Sequence, residues 1–293
     1  MESCTAPSDE LSPLVWVTGA AGLIGRYLIQ TAPLYAPGWR VAPITRARLD
    51  LADVALVRQT FLAEQPQLVI HCAALSRSPD CQANPALARQ QNIDVTACLA
   101  GLAADIPFLF LSSDLVFDGG QGCYDELAET NPLSVYAETK VAAERIILAN
   151  SKHTVIRTSL NGGTSSSGSR AFNEELRIAW QAGRELRLFT DEIRSPIPAL
   201  ATARAVWELA MQNRPGLYHV AGSERLSRWE IGQLIAARWP QLQPRLEPCS
   251  LQDYSGAARS PDTSLNSAKA QALLSFPLPG LTEWLAAHPN ESF

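Results

Sequence analysis

A tyrosine and a lysine four residues apart, Tyr136 and Lys140, have the types and spacing of an acid–base pair. The segment Val135 to Ala149 favours a helix, so both side chains project from one face. A free phenol has a pKa of about 10, and a nearby ammonium group stabilises the phenolate and lowers that pKa. We therefore expect Lys140 to lower the pKa of Tyr136, and Tyr136 to exchange a proton with a substrate.

Ser113 is the candidate for holding the oxygen of a substrate carbonyl. It follows the fourth predicted strand, Phe108 to Ser112, and precedes Asp114. Open α/β folds bind ligands at the carboxyl edge of the sheet, where this strand ends. In the reductive direction a nicotinamide would supply hydride, Tyr136 would donate a proton and Ser113 would steady the oxygen as charge develops.

Three glycines spaced three apart, Gly19, Gly22 and Gly25, follow the first predicted strand. Such a trio lets the backbone turn sharply and approach a pyrophosphate, and Leu23 and Ile24 open the helix whose free N–H groups would bind the anion. The strand–loop–helix context therefore predicts a dinucleotide-binding loop.

The second predicted strand, Trp39 to Thr45, is followed by an arginine, Arg46, and by no acidic residue. An acidic residue at this position bonds the adenosine ribose of NAD, whereas an arginine accommodates the 2′-phosphate of NADP. The sequence thus predicts NADP(H), with NAD(H) less favoured, and Arg46 as the phosphate partner.

The elements that position these residues alternate between short apolar runs and helical patterns, which predicts an α/β fold with a doubly wound parallel sheet of the Rossmann type. The predicted strands are Leu14 to Val17, Trp39 to Thr45, Leu68 to Cys72, Phe108 to Ser112 and Thr154 to Arg157. The predicted helices between them are Leu23 to Ala32, Asp53 to Glu64, Pro85 to Ala104 and Val135 to Ala149.

We expect residues 1–160 to form the NADP-binding domain, and residues 1–13 of this range to be a flexible tail. Residues 161–293 would mainly form a smaller substrate-binding lobe, with segments that return to the sheet and extend it to seven strands. Within this part, Ala171 to Gly183, Leu200 to Asn213, Ser227 to Arg238 and Ser267 to Leu274 favour helices. The Gly- and Ser-rich stretch Gly162 to Ser169 is either a plain linker or a lid over the site.

Composition limits the partners. The 293 residues carry 24 Lys plus Arg against 29 Asp plus Glu, a net charge of −5, which disfavours nucleic acid and anionic membranes. No apolar stretch approaches the about eighteen residues of a membrane-spanning helix, and the N-terminal segment lacks the pattern of a secretory signal. Six scattered cysteines favour a reducing cytoplasm, and four scattered histidines give no support for a metal site.

The sequence resembles the extended short-chain dehydrogenase/reductase superfamily, and within it the dTDP-4-dehydrorhamnose reductases, over nearly its whole length. The matching segments are Thr18–Gly25, Leu49–Leu51, His71–Ala74, Ser112–Gly119, Tyr136–Lys140, Arg157–Ser159, Tyr218–Ser223 and Arg259–Pro261. The resemblance implies NADPH-dependent reduction of a nucleotide-linked keto-sugar, in which Ser113, Tyr136 and Lys140 are catalytic.

The resemblance also implies a set of binding residues. Asp50 and Leu51 would lie by the adenine, Ala73 and Ala74 would line the dinucleotide, and Asp114 would join Ser113 and Tyr136 at the substrate. Lys140 would also reach the nicotinamide ribose, and Asn92 would correspond to an asparagine that supports the site through water. Such folds often dimerise through surface helices, and the sequence is compatible with a homodimer.

Two positions depart from the reductase pattern: Leu115 and Leu160 stand where aromatic residues are common. Their apolar but non-aromatic side chains cannot stack on a sugar or nucleoside ring, which leaves the identity of the sugar open. Two other functions also stay open. One is a non-catalytic regulatory subunit like the methionine adenosyltransferase β subunit, and the other is a sugar-nucleotide epimerase or dehydratase that retains its cofactor.

Overall fold

A six-stranded parallel sheet forms the centre of the computed structural model, which describes residues 12–289. The strands in chain order are β1 (Leu14–Thr18), β2 (Arg40–Ile44), β3 (Leu68–His71), β4 (Phe108–Ser113), β5 (Thr154–Thr158), β6 (Asn161–Gly162), β7 (Leu186–Phe189), β8 (Ile193–Arg194), β9 (Ile197–Pro198), β10 (Gly216–Val220), β11 (Leu226–Ser227) and β12 (Leu246–Cys249). The central sheet has the order β10-β5-β4-β3-β1-β2, so the strand order reverses at β1 and β3 as in a doubly wound fold.

The helices in chain order are α1 (Leu23–Tyr35), α2 (Val54–Glu64), α3 (Ser78–Ala83), α4 (Pro85–Arg89), α5 (Val95–Leu102), α6 (Val135–Leu148), α7 (Phe172–Gln181), α8 (Ala199–Met211), α9 (Arg228–Ala236), α10 (Ala268–Gln271) and α11 (Leu281–Ala287). Helices α1 and α8 cover one face of the central sheet, and α2, α5 and α6 cover the other. Successive side chains of a strand point to opposite faces, so Val15 and Val17 enter the first core while Trp16 enters the second.

The described part of the chain supplies six strands to this sheet, one fewer than the seven expected. After β5 only β10 returns to it, and it pairs with β5 in parallel. The other late strands form two-stranded pairs, β6 with β9, β7 with β12 and β8 with β11. These pairs belong to a lobe with its own apolar core, in which Leu176, Trp180 and Ile231 are buried. The late strands pair with one another instead of with the edge strands β2 and β10, so the central sheet stops at six strands.

The predicted helix from Pro85 to Ala104 is interrupted. Helix α4 passes into a π-helical turn at Gln90–Asp94, and α5 begins only at Val95. The apolar pattern did not indicate this change of pitch. Helices α3 and α11 were not predicted, since both are short and α3 lies among polar residues. Within residues 12–289 no helix is both long and apolar enough to span a membrane.

The Gly- and Ser-rich loop at Gly162 to Ser169 forms hydrogen bonds with both α1 and α7. The Thr164 N–H donates to the Tyr27 hydroxyl of α1 at 3.1 Å. The backbone N–H and the hydroxyl of Ser165 both donate to the Glu174 carboxylate of α7, at 2.8 and 2.6 Å. The loop therefore connects the helix that follows the glycine segment with the C-terminal lobe.

The glycine segment allows close approach of β1, α1 and the residues after β3. Gly19 has a φ of +65°, and a side chain on it would lie 2.7 Å from the backbone nitrogen of Ala73. A side chain on Gly25 would collide with the carbonyl oxygen of Gly19. Both positions therefore exclude any residue with a Cβ atom, for steric reasons.

We expect Gly25→Ala to lower the free energy of unfolding by about 1–3 kcal/mol, because the added methyl group must displace the Gly19 carbonyl. Gly101→Ala is the matched control. Gly101 is exposed in α5 with no atom near its missing side chain, so this change should raise stability by about 0.5 kcal/mol. Urea denaturation of the three proteins measures both effects. Equal stabilities of the Gly25 variant and the parent would contradict the steric argument.

Candidate active site

The start of α1 is open to an anion. Its N-cap residue is Gly22, whose N–H donates to the Gly19 carbonyl at 2.8 Å, and no side chain caps the helix. The first N–H groups of a helix have no partner within it, so those around Leu23 and Ile24 are available to a phosphate. We call the uncapped start of α1, together with the space that Gly19 and Gly25 leave, the glycine cradle. Its shape and its free N–H groups fit the pyrophosphate of a dinucleotide.

A chain of buried hydrogen bonds fixes the opposite wall of the cradle. The N–H groups of Cys72 and Ala73 donate to the Thr18 hydroxyl at 3.2 and 3.3 Å. The Thr18 hydroxyl lies 2.7 Å from Nδ1 of His71, and Nε2 of His71 lies 3.1 Å from the Thr96 hydroxyl. The Thr96 hydroxyl donates to the Asn92 carbonyl at 2.7 Å. Because the Thr96 hydroxyl uses its proton on Asn92, it can only accept from His71, so Nε2 carries a proton. The Thr18 hydroxyl already accepts from two N–H groups and donates its own proton to Nδ1, so the imidazole is neutral.

Burial and the nearby Lys140 charge lower the pKa of His71 from 6.5 to about 3, in agreement with this neutral form. Ala73 and Ala74, the predicted dinucleotide-lining residues, follow directly and are half-buried.

Arg46 lies exposed after β2, and its guanidinium group donates a 3.5 Å hydrogen bond to Oε1 of Gln91. Its neighbour Arg48 instead forms an ion pair with Glu64 at 2.7 Å. Of these two arginines, Arg46 is therefore the one free to bind an added phosphate.

Asp50 and Leu51, predicted to lie by the adenine, follow in the same loop. Asp50 is exposed and caps a turn by accepting from the Ala52 N–H at 3.0 Å. Leu51 is half-buried against the core under α2. Their predicted contact with a nucleotide stays a prediction.

Ser113 ends β4, and its hydroxyl donates to Asp114 at 3.1 Å and accepts from the Leu115 N–H at 3.2 Å. The preceding hydroxyl, that of Ser112, is buried and has no partner within residues 12–289. Ser113 is half-buried, so it is the serine that a ligand at the sheet edge could reach.

Tyr136 lies in the first turn of α6 beside Ser113, whose hydroxyl forms a hydrogen bond that lowers the pKa of the phenol. Burial and the negative charge of Asp114 act more strongly in the opposite direction, so the pKa of Tyr136 is raised. The expectation that Lys140 lowers this pKa is therefore wrong for this conformation. The phenol is held in its protonated form, which is the form that donates a proton.

The Lys140 ammonium group is buried one turn later in α6. It donates to the Leu111 carbonyl at 2.5 Å and lies 3.9 Å from the centre of the Phe110 ring. Burial lowers the pKa of Lys140 to about 8, while the charge of Glu144 partly opposes that shift. Lys140 is thus still mostly charged at pH 7, and it lies close to the Cys72–Ala73 wall of the cradle.

Asp114 is buried, and both of its carboxylate oxygens already accept from hydroxyl groups of the protein. Oδ1 accepts from Ser113, and Oδ2 accepts from Ser159 at 2.7 Å and from Thr263 at 3.1 Å. Arg194 lies 3.9 Å from Oδ2. These contacts join the ends of β4 and β5 to the C-terminal lobe, and the predicted contact of Asp114 with substrate stays a prediction.

Three arginines surround one buried glutamate, Glu192, next to Asp114. We call Arg194, Arg228 and Arg259 the arginine cluster. Arg194 and Arg259 bind Glu192 at 3.0 and 2.6 Å. Burial raises the pKa of Glu192, but the hydrogen bond from Arg259 and the charges of the cluster outweigh it and keep the pKa below its usual value.

The third arginine of the cluster, Arg228, makes no ion pair or side-chain hydrogen bond within the described chain. Burial lowers its pKa, as do the charges of Arg194 and Arg259, and the charges of Glu192 and Glu175 only partly offset this. An arginine stays protonated in proteins even so, and the cluster therefore presents an excess of positive charge. Sequence reasoning missed this group because its members come from three distant segments. Only Arg259 lay in a segment that had been singled out.

Comparisons with known proteins place the chain in a family. The family model described as "RmlD substrate binding domain" matches residues 14–291. The spore coat polysaccharide biosynthesis protein SpsK of Bacillus subtilis (strain 168) is 28% identical over 268 residues, which cover 87% of this chain and 89% of that protein. The methionine adenosyltransferase 2 subunit beta of Bos taurus is 28% identical over 273 residues, which cover 88% of this chain and 82% of that protein.

A solved structure shares the fold. The crystal structure of dTDP-4-dehydrorhamnose reductase from Bacillus anthracis str. Ames in complex with NADP superposes with a TM-score of 0.85 over 94% of this chain and 98% of that chain, at 22% sequence identity. The fold is therefore the doubly wound Rossmann type that the sequence predicted.

The neutral state of His71 predicts how stability depends on pH. The unfolded chain binds a proton at His71 below about pH 6.5, whereas the folded chain does not until about pH 3. The free energy of unfolding therefore falls as the pH drops through this window. Between pH 5.5 and 4.5, we expect His71→Asn to reduce the slope of stability against pH by about 1.4 kcal/mol per pH unit. Urea denaturation at several pH values measures it, and parallel curves for the two proteins would rule the neutral His71 out.

Proposed function

The chain belongs to the RmlD substrate binding domain family, and from this premise we propose that it is an NADPH-dependent reductase of a nucleotide-linked 4-keto-sugar or a similar carbonyl, like the dTDP-4-dehydrorhamnose reductases. One observation carries the proposal. Ser113, Tyr136 and Lys140 come together at the carboxyl edge of the parallel sheet, beside the glycine cradle. In open α/β sheets this edge is where ligands bind.

The chemistry divides among these residues. NADPH, when bound, supplies a hydride. Tyr136 donates a proton to the carbonyl oxygen as general acid, for which its protonated state is the required one. Ser113 binds the same oxygen and stabilises the negative charge that develops on it. Lys140 contributes a positive charge beside the Cys72–Ala73 wall, where it would reach the nicotinamide ribose.

The choice of NADPH rests on Arg46. It lies after β2, at the position where a 2′-phosphate is recognised in this fold, and it has no carboxylate partner among the described residues. The structural relative from Bacillus anthracis str. Ames was crystallised with NADP. The glycine cradle and Arg46 together would hold the pyrophosphate and the extra phosphate of the same dinucleotide.

The choice of a nucleotide-linked substrate rests on the arginine cluster. Arg228 is a guanidinium with no carboxylate bound to it, and it lies close to Arg194, which adjoins Asp114 beside Ser113. Guanidinium groups bind phosphate oxygens in pairs, so the diphosphate of a nucleotide-sugar fits the chemistry of this cluster. A neutral free sugar has no anionic group that could pair with the excess positive charge of the arginine cluster.

A second candidate function is a non-catalytic regulatory subunit. It is favoured by the identity of 28% to a methionine adenosyltransferase 2 subunit beta, which equals the identity to the polysaccharide biosynthesis protein. Both functions require dinucleotide binding, but only the reductase requires Tyr136 to take part in chemistry.

Turnover with matched variants separates the two functions. We expect the protein to oxidise NADPH when given a nucleotide-linked 4-keto-6-deoxy sugar, and much less when given the corresponding free sugar. Tyr136→Phe removes only the hydroxyl, and it should reduce kcat by about 10²–10⁴-fold with little change in NADPH affinity. Absorbance at the NADPH band and fluorescence titration give the two measurements.

NADPH binding without turnover on any carbonyl of the panel would argue against the reductase. Co-purification of a second polypeptide would then favour the regulatory subunit. A cofactor that stays bound through gel filtration and is restored after each turnover would instead favour an epimerase or dehydratase.

Cofactor preference can be tested with the two arginines after β2. We expect Arg46→Ala to lower the ratio of NADPH to NADH affinity by about 10-fold or more, because it removes a charge-assisted hydrogen bond to the 2′-phosphate. Arg48→Ala is the control, since Arg48 is held by Glu64, and it should leave the ratio nearly unchanged. Equal ratios in the parent and the Arg46 variant would remove Arg46 from the phosphate site.

A further inference from the structure

The π-helical turn at Gln90–Asp94 places a buried amide between the cofactor wall and the catalytic helix. The side chain of Asn92 in this turn is 2% exposed. π-Helical turns are rare and occur frequently at functional sites, since they cost helix stability. The position of the turn between α4 and α5 therefore calls for a reason beyond packing.

All hydrogen-bonding groups of the Asn92 amide are used within the protein. Its Oδ1 accepts from the Leu75 N–H at 2.8 Å. Its Nδ2 donates to the Leu75 carbonyl at 3.1 Å and to the Thr139 hydroxyl at 2.9 Å. These direct bonds use both amide protons, so Asn92 holds two protein segments together and needs no water to do so.

The Thr139 hydroxyl connects Asn92 to the backbone of Tyr136, the proposed proton donor. It donates to the carbonyl of Tyr136 at 2.7 Å while it accepts from Asn92. A threonine hydroxyl has one proton, so these two roles are fixed. Thr139 is 1% exposed, and it cannot touch a substrate.

The other end of the link lies in the same apolar cluster as the tyrosine. Leu75 follows Ala73 and Ala74 of the cradle wall, and it packs against the cluster that contains Tyr136 and Cys81. The Tyr136 side chain thus shares a cluster with Leu75, and the Tyr136 backbone is linked to Leu75 through Thr139 and Asn92.

We propose that Thr139, held by Asn92, is a positioning residue that fixes Tyr136 relative to the cofactor wall at Ala73–Leu75. The proposal rests on the proposed reductase function. The Thr139 hydroxyl donates to the Tyr136 carbonyl in the first turn of α6, where the helix has the fewest hydrogen bonds of its own. This bond thereby fixes the position of the phenol relative to the cradle. A displacement of about 1 Å can reduce a rate by about 100-fold.

Two variants of one residue test this role. Thr139→Val keeps the shape and removes the hydroxyl, whereas Thr139→Ser keeps the hydroxyl. We expect Thr139→Val to lower kcat by about 10- to 100-fold while the dissociation constant of NADPH changes by less than about threefold, and Thr139→Ser to restore most of kcat. Thr60→Val is the matched control, because Thr60 makes the same kind of bond, to the Leu56 carbonyl at 2.8 Å, in the remote helix α2. It should leave kcat unchanged.

A loss of kcat in both Thr139 variants, or in neither, would overturn the proposal. Should Thr139→Val not fold, Thr139→Ala removes the same hydroxyl with less steric demand. Should the parent protein reduce no carbonyl, the reductase function fails, but the positioning role can still be measured. Hydrogen exchange of the amides in the first turn of α6 should then be faster in Thr139→Val than in Thr139→Ser, and equal rates would refute the link.

Discussion

The buried carboxylate of Asp114 is the contact on which the arrangement of the site depends. It follows Ser113 at the end of β4, accepts from Ser159 after β5, and accepts from Thr263 of the C-terminal lobe. Arg194 lies at 3.9 Å. Loss of Arg194 would leave the buried carboxylate without its positive partner, and breaking a buried ion pair in this way typically costs about 3–5 kcal/mol. A group of this kind fixes geometry more than it adds stability, and here it fixes the lobe against the strand that presents Ser113.

The same carboxylate also explains the electrostatics of the phenol. Its charge and the burial of Tyr136 keep the tyrosine protonated. Lys140 lies near Cys72 and the cradle wall, and its ammonium group donates to the Leu111 carbonyl at 2.5 Å. A negative charge thus lies beside the phenol, and a positive charge lies beside the wall formed by Cys72 and Ala73.

Local sequence patterns predicted most of the central sheet and the catalytic pair, whereas features that depend on contacts between distant segments were not predicted. Alternating apolar runs indicated five strands of the central sheet, and the spacing of Tyr136 and Lys140 indicated a shared helix face, since each depends on neighbours within about one turn or one strand. The pKa of Tyr136 depends instead on burial and on Asp114, which only the folded chain brings close. The arginine cluster escaped notice for the same reason, because β8, α9 and the segment at Arg259 are far apart in the sequence and meet around Glu192 only in the folded chain. The π-helical turn at Asn92 left no apolar signature at all.

Net charge describes this protein incompletely, because four of its arginines lie where anions would bind. The chain is acidic overall, with a net charge of −5. Yet Arg46 stands after β2 at one edge of the central sheet, and the arginine cluster stands beyond β4 and β5. Between them lie the uncapped start of α1, Ser113 and Tyr136. A ligand pair with a phosphate at each outer end and reactive carbon atoms in the middle matches this order of charges.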